Sequence, residues 1–217
     1  MPIYRHLYIE HRGDDGWGIP NAFAPKANMF HPELGQFAWV HPRAGWLDLF
    51  WSEDAIFPFQ PGAPEERGSS PLLNHLKNRR DYGFDRNEDS LSWLPLTEMW
   101  LDSWQDETVL VGYPVEARWV PHFGDGNSPF PIDLLSDPDF KEDRDLRERA
   151  RLWRGAPING MSGADRFRWS IRPPHAAFNV TWRETIAELI GGRYAQLFTS
   201  LRDYGRDEDL RILSVCG

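Results

Sequence analysis

The chain has 217 residues, of which 41% are hydrophobic and 14% aromatic, including eleven Trp. This apolar content excludes general disorder, and the length suits one large domain or two small ones. With 24 basic and 33 acidic residues the formal net charge is -9, which disfavours a nucleic-acid backbone as partner because phosphate binding needs clustered Lys and Arg.

The opening "MPIYRHLYIEHR" has a period of two and predicts a strand over residues 3–12. Ile3, Leu7 and Ile9 fall on one face, and Tyr4, His6, Tyr8 and Glu10 on the other. That second face is either a site or the solvent side of a sheet. "RGDDGWG" then carries a hairpin signal, with a short return strand through Trp17 and Ile19.

Residues 20–69 are rich in Pro and Gly, with "QFAWVHP" as a short strand and "GWLDLFW" as an ambiguous apolar run. Long irregular segments of this kind tend to be functional or mobile. Ser70 and Pro71 predict the start of a helix that Gly83 ends. "LTEMWLDSW" predicts a second short helix capped by Thr97, with Trp100, Leu101 and Trp104 facing inward. "ETVLVGYPVEARWVP" predicts two strand-like runs around a Gly-Tyr-Pro break.

"SDPDFKEDRDLRERARLWRG" orders its charges as a helix dipole favours, acids first and Arg149, Arg151 and Arg154 last. A helix is therefore expected from Asp137 to Gly155. "DRFRWSIR" alternates as a strand, "TWRE" has the spacing of a capping box from Thr181 to Glu184, and Tyr194, Leu197, Phe198 and Leu201 recur at helical spacing. "LRILSV" closes the chain as a strand. No periodic repeat is present.

Chemistry is sparse. On a strand His6 and Glu10 lie about 13 Å apart, at roughly 3.3 Å per residue, too far to grip one metal ion with bonds of about 2 Å. "VPHFGDGNSPF" places His122 and Asp125 in a Gly-rich loop after a strand, where a metal or a proton relay would need them. Gly, Asp and Asn also form ordinary turns. Arg166 and Arg168 beside Phe167 and Trp169 offer a local anion-binding face, or pair with nearby carboxylates. No phosphate loop, dinucleotide fingerprint, zinc-helix motif or Cys pair occurs, so no cofactor is implied. The one Cys, Cys216, excludes an internal disulfide and suits a reducing compartment. No apolar run reaches membrane-spanning length, and the start lacks a signal-peptide core.

The opening resembles a group of uncharacterised bacteriophage and prophage proteins that begin Met-Gly-Cys-Asp-Ile-His and reach Glu four residues after the His. Met1, His6 and Glu10 are in register with that pattern, and Leu91 to Trp100, "LSWLPLTEMW", is similar to a later Ser-Trp-Leu-Thr-Leu segment that begins a helix. The Gly, Cys and Asp are absent here. The resemblance implies a viral or mobile-element protein, and with the single Cys the expected compartment is the host cytoplasm.

The expected fold is a single α+β domain over residues 1–217, a mostly antiparallel sheet with helices on one face. Its strands would lie near residues 3–12, 107–120, 165–172 and 209–215. The expected function is that of an acidic binding protein that engages, and inhibits, a host macromolecule of the anti-defence kind. Its partner is a host protein, with no membrane involved, and its binding residues are drawn from His6, Tyr8, Glu10, Arg166 and Arg168. The alternative is a metal-assisted hydrolase of a nucleotide or phosphoester, built on His6, Glu10, His122 and Asp125, with His6, His122 and Asp125 as its metal set. Sugar recognition by Trp rings is a third reading.

Overall fold

The computed structural model describes residues 4–21, 23, 34–40, 44–64, 70, 73–75, 91–143, 149–162 and 178–216. It has the expected α+β architecture, with two antiparallel sheets and several helices. No helix among the described residues is long and apolar enough to cross a membrane. The chain divides into two compact units, one built from residues 1–42, 50–101 and 196–217 and the other from residues 43–49 and 102–195.

The first unit holds a six-stranded sheet. Strand β1 (Arg5–Gly13) turns at Asp14 and Asp15 into β2 (Gly16–Gly18), as the hairpin signal predicts. β3 (Gln36–Val40) also pairs with β1. β4 (Gln60–Pro61) and β5 (Leu91–Pro95) lie on the far side of the final strand. The first and last predicted strands are direct neighbours at the centre. There β1 runs antiparallel to the closing strand Leu210–Cys216, from Arg5 opposite Cys216 to His11 opposite Leu210.

Both faces of this central pair are covered. Leu7, Ile9, Leu94 and Ile212 are buried on one face. On the other, Tyr8, Leu34, Leu213 and Val215 form a cluster joined by Leu91 and Trp93. The face of β1 that carries Tyr8 and Glu10 is therefore not a solvent side. Phe37, Phe50, Phe57, Phe59 and Phe198 add a connected set of ring contacts at 5.9–6.0 Å. Aromatic rings supply much of the apolar area removed from water here.

The second unit holds a four-stranded sheet in which β6 (Thr108–Val115) and β9 (Phe178–Thr185) pair over eight residues. β7 (Arg151–Leu152) and β8 (Asn159–Ser162) flank them. Its core includes Trp182 against Phe123 and Phe130, and Trp119 edge-on to Phe140. Among the described residues, helices beside the sheets include α1 (Ala44–Trp46), extended by a π-helical turn Leu47–Trp51, α2 (Ile186–Ile190) and α3 (Gly192–Thr199). Within the second unit, the Trp46 indole N–H donates to the Ile190 carbonyl at 2.9 Å, which fastens α1 to the end of α2.

Several local expectations are corrected. Gly112-Tyr113-Pro114 does not break β6. Pro114 lies opposite Asn179 and beyond the two-residue β7, where its missing N–H leaves no ladder bond unmade. Ala117–Phe123 is then a 3₁₀ helix, not a strand. Leu91–Pro95 is a strand rather than a helix entry, and "LTEMWLDSW" becomes two 3₁₀ turns, Leu96–Met99 and Leu101–Ser103. Trp100 between them adopts a left-handed conformation and faces outward, while Leu101 and Trp104 are buried.

The two ends of the charge-ordered helix expected from Asp137 to Gly155 are also corrected, while residues 144–148 lie outside the described residues. Pro138–Asp143 is 3₁₀, and Arg151–Leu152 pairs with β6. Asp48 explains the change, accepting from Arg151 Nε at 2.6 Å, Arg151 Nη2 at 2.5 Å and the Leu152 N–H at 2.9 Å. This charge-assisted, forked arrangement outweighs a weak helix preference. Thr181 lies in β9, and the capping box is formed four residues later by Thr185 and Glu188. The strand expected over residues 165–172, with Arg166 and Arg168, lies outside the described residues.

Candidate functional site

The polar face of β1 is a buried bonded network. Glu10 is 1% exposed and Arg211 2%. The two are register partners, with Arg211 Nε and Nη2 donating to Glu10 Oε2 at 2.9 and 2.8 Å. The Ser70 hydroxyl donates to the other carboxylate oxygen, Oε1. Ser70 also caps the helical turn at residues 73–75 as its sequence position predicts, accepting the Leu73 N–H at 3.0 Å. Above the pair, the Arg211 guanidinium lies 3.9 Å from the centroid of the Trp17 ring.

Burial pushes the Glu10 carboxyl above its ordinary value, while the Ser70 hydrogen bond and Arg211 oppose that shift. Chemically, the network ties the hairpin, the last strand and the residue 70 turn through one carboxylate. His6 lies on the same face, its Nδ1 3.0 Å from the Gln36 side-chain nitrogen on β3. Tyr8 is part of the apolar cluster.

His122 and Asp125 belong to the second unit. His122 lies in the last turn of the Ala117–Phe123 3₁₀ helix and stands 4.0 Å from Asp133 Oδ2, its ring beside Trp119. Asp125 accepts the Asn127 N–H at 2.9 Å, the side-chain-to-backbone bond of an Asx turn. The loop they share is fastened to β9 and its neighbours. Thr181 Oγ1 donates to the Gly126 carbonyl at 2.6 Å, Arg183 Nε donates to Asn127 Oδ1 at 2.9 Å, and Asn159 donates to the Gly124 carbonyl. Among the described residues, no three His, Cys, Asp or Glu side chains gather as a metal-binding set. His6 and Glu10 are in the first unit, His122 and Asp125 in the second.

One surface feature was missed in sequence. The 3₁₀ helix Ile132–Ser136 buries Leu134 but leaves Ile132 72% and Leu135 38% exposed. Carboxylates border these side chains: Asp133 and Asp139 are mostly exposed, and Asp137 lies between them in the chain. The signal was available in "PIDLLSDP", where Ile132, Leu134 and Leu135 sit between two prolines in a stretch too short to bury all three.

Comparison of the chain with family models, with curated proteins and with solved structures finds no match.

Proposed function

We propose that this α+β chain is an acidic binding protein of phage or mobile-element type that engages a host protein. The observation that carries this reading is the Ile132–Leu135 surface. Two large apolar side chains stand open to water on one short turn, bordered by Asp133, Asp137 and Asp139. Exposed apolar groups with a charged rim are the composition of a contact surface, in which apolar anchors supply affinity and rim charges supply steering and register. The overall charge of -9 favours a partner whose own face is basic. The resemblance of the opening residues to phage proteins supports the host setting, and inhibition of that partner is the biological role it suggests.

The test is a pull-down from bacterial lysate at moderate salt with the full chain and with Ile132→Asp/Leu135→Asp. A protein retained by the first bait and lost from the second supports the reading. Recovery of nothing above background by the unmodified chain defeats it.

A further inference from the structure

Four buried polar atoms at one end of the six-stranded sheet have no hydrogen-bond partner among the described residues. In the β1 and β10 register (β10 being the closing strand Leu210–Cys216), Arg5 stands opposite Cys216 and Leu7 opposite Ser214, while Ser214 stands opposite Ser92 on β5. Directly opposed residues in an antiparallel pair share a face, as do residues two apart on one strand. Arg5, Ser92, Ser214 and Cys216 therefore occupy the same face. Ser92 and Ser214, as an opposed pair, have Cβ atoms about 5 Å apart. Trp51 joins them, with the Arg5 guanidinium 4.8 Å from its ring centroid. Phe59 stacks on the same indole at 5.1 Å and 21°, which holds the ring in place.

Arg5 Nε, Trp51 Nε1, Ser92 Oγ and Ser214 Oγ are all buried atoms without a hydrogen-bond partner. Ser214 is 0% and Ser92 7% exposed. Arg5, Trp51 and Cys216 are half-buried, so the two hydroxyls are the more deeply buried members of the set. Each unmade bond of this kind costs about 1–3 kcal/mol, and four on one sheet face call for a common cause. The chemistry of the set is one-sided. Guanidinium and indole only donate, and a hydroxyl can donate. Burial works against the Arg5 charge and lowers its pKa, with Cys216 opposing that shift.

We infer that this end of the sheet is a binding site for an oxyanion of the phosphate or carboxylate class. Arg5 supplies the charge and a planar fork, which suits two-oxygen groups. Trp51 Nε1 and the hydroxyls of Ser92 and Ser214 supply the remaining donors. The indole plane fixes the guanidinium before the ligand arrives, which lowers the entropic cost of binding. The site belongs to the first unit, and nothing in it depends on the Ile132–Leu135 surface.

The experiment uses the full, uniformly ¹⁵N-labelled chain and follows the Arg5 Nε–H and Trp51 Nε1–H resonances, assigned by their loss in Arg5→Lys and Trp51→Phe. Inorganic phosphate and acetate are titrated separately at constant ionic strength, with chloride as control. Both resonances should move together and saturate. Saturation by phosphate alone, by acetate alone or by both supports the site and fixes its class. Ser92→Ala/Ser214→Ala, which removes hydroxyls that bond to nothing in the unliganded protein, should keep the fold and weaken binding about tenfold. If either assignment variant fails to fold, this Ala pair still reads out the site by calorimetric titration. No saturable response to either anion up to about 50 mM, a response matched by chloride, or undiminished binding in the Ala pair would overturn the inference.

Discussion

Glu10 and Arg211 are 201 positions apart in the chain, stand opposite each other on adjacent central strands, and join in the interior with Nη2–Oε2 at 2.8 Å. A buried pair of this kind fixes register more than it stabilises, because desolvation of both ions offsets their attraction. A slip of one residue would turn each side chain to the opposite face of the sheet. The two costs can be separated by mutation.

Arg211→Met alone strands the Glu10 carboxylate and should lower unfolding free energy by about 3–5 kcal/mol. Glu10→Leu/Arg211→Met together remove both charges, and urea unfolding should place that variant within about 2 kcal/mol of wild type. A double variant as unstable as Arg211→Met alone would show that the pair is a net stabiliser.

The same carboxyl predicts a pH dependence. Burial raises the folded pKa of Glu10 above its ordinary 4.5. Between those values the folded chain binds more protons than the unfolded chain, so stability falls as pH rises. The contribution is complete below the ordinary value and is lost as pH rises through the folded one. Relative to Glu10→Gln, wild type should lose stability as pH rises above the ordinary carboxyl value. Unfolding midpoints in a pH series measure the difference, and a gap that stays flat or widens with pH would contradict the raised pKa.

Much of the architecture is legible because it is local. The alternation in β1 and in Leu210–Cys216, the Asp-Gly turn and the Ser70 cap all appear in the residues that form them. What covers a face is not local. Nothing near Glu10 in sequence announces Arg211, and nothing near Arg151 announces Asp48, so a buried network reads as a solvent face and a strand reads as a helix end. The candidate site was less legible still. Arg5, Trp51, Ser92 and Ser214 come from four separate segments, and only the strand register brings their polar groups onto one face.

The capping box shows how a local signal is overruled. "TWRETIAE" contains the Thr-x-x-Glu spacing twice, at Thr181 and again at Thr185. Pairing of β9 with β6 through Thr185 opposite Thr108 takes the first into the sheet, leaving the second to start α2. There the Glu188 N–H donates to Thr185 Oγ1 at 3.1 Å, and the Thr185 N–H donates back to Glu188 Oε2 at 3.0 Å. Thr185→Ala should therefore cost about 1 kcal/mol in urea unfolding, with Thr185→Ser close to wild type. Equal losses in both variants would assign the effect to packing rather than to the cap.

Gly126 tests whether the His122–Asp125 loop is chiefly a structural clamp. Its φ of +78° is left-handed, and a Cβ there would meet the Ile158 carbonyl oxygen and lie 2.8 Å from Thr181 Oγ1. Thr181 in turn donates to the Gly126 carbonyl and accepts the Ile158 N–H at 2.9 Å, so loop, β9 and the approach to β8 meet at one hydroxyl. Gly126→Ala combines backbone strain with a clash against main chain that cannot rotate away, and should destabilise the protein by about 2–3 kcal/mol. Asp125→Ala removes only the Asx bond to Asn127 at the exposed rim of the loop and should cost less than about 1 kcal/mol. Urea unfolding of the two variants side by side decides the point. If Gly126→Ala is as mild as Asp125→Ala, the close approach to Ile158 and Thr181 is not what holds the loop.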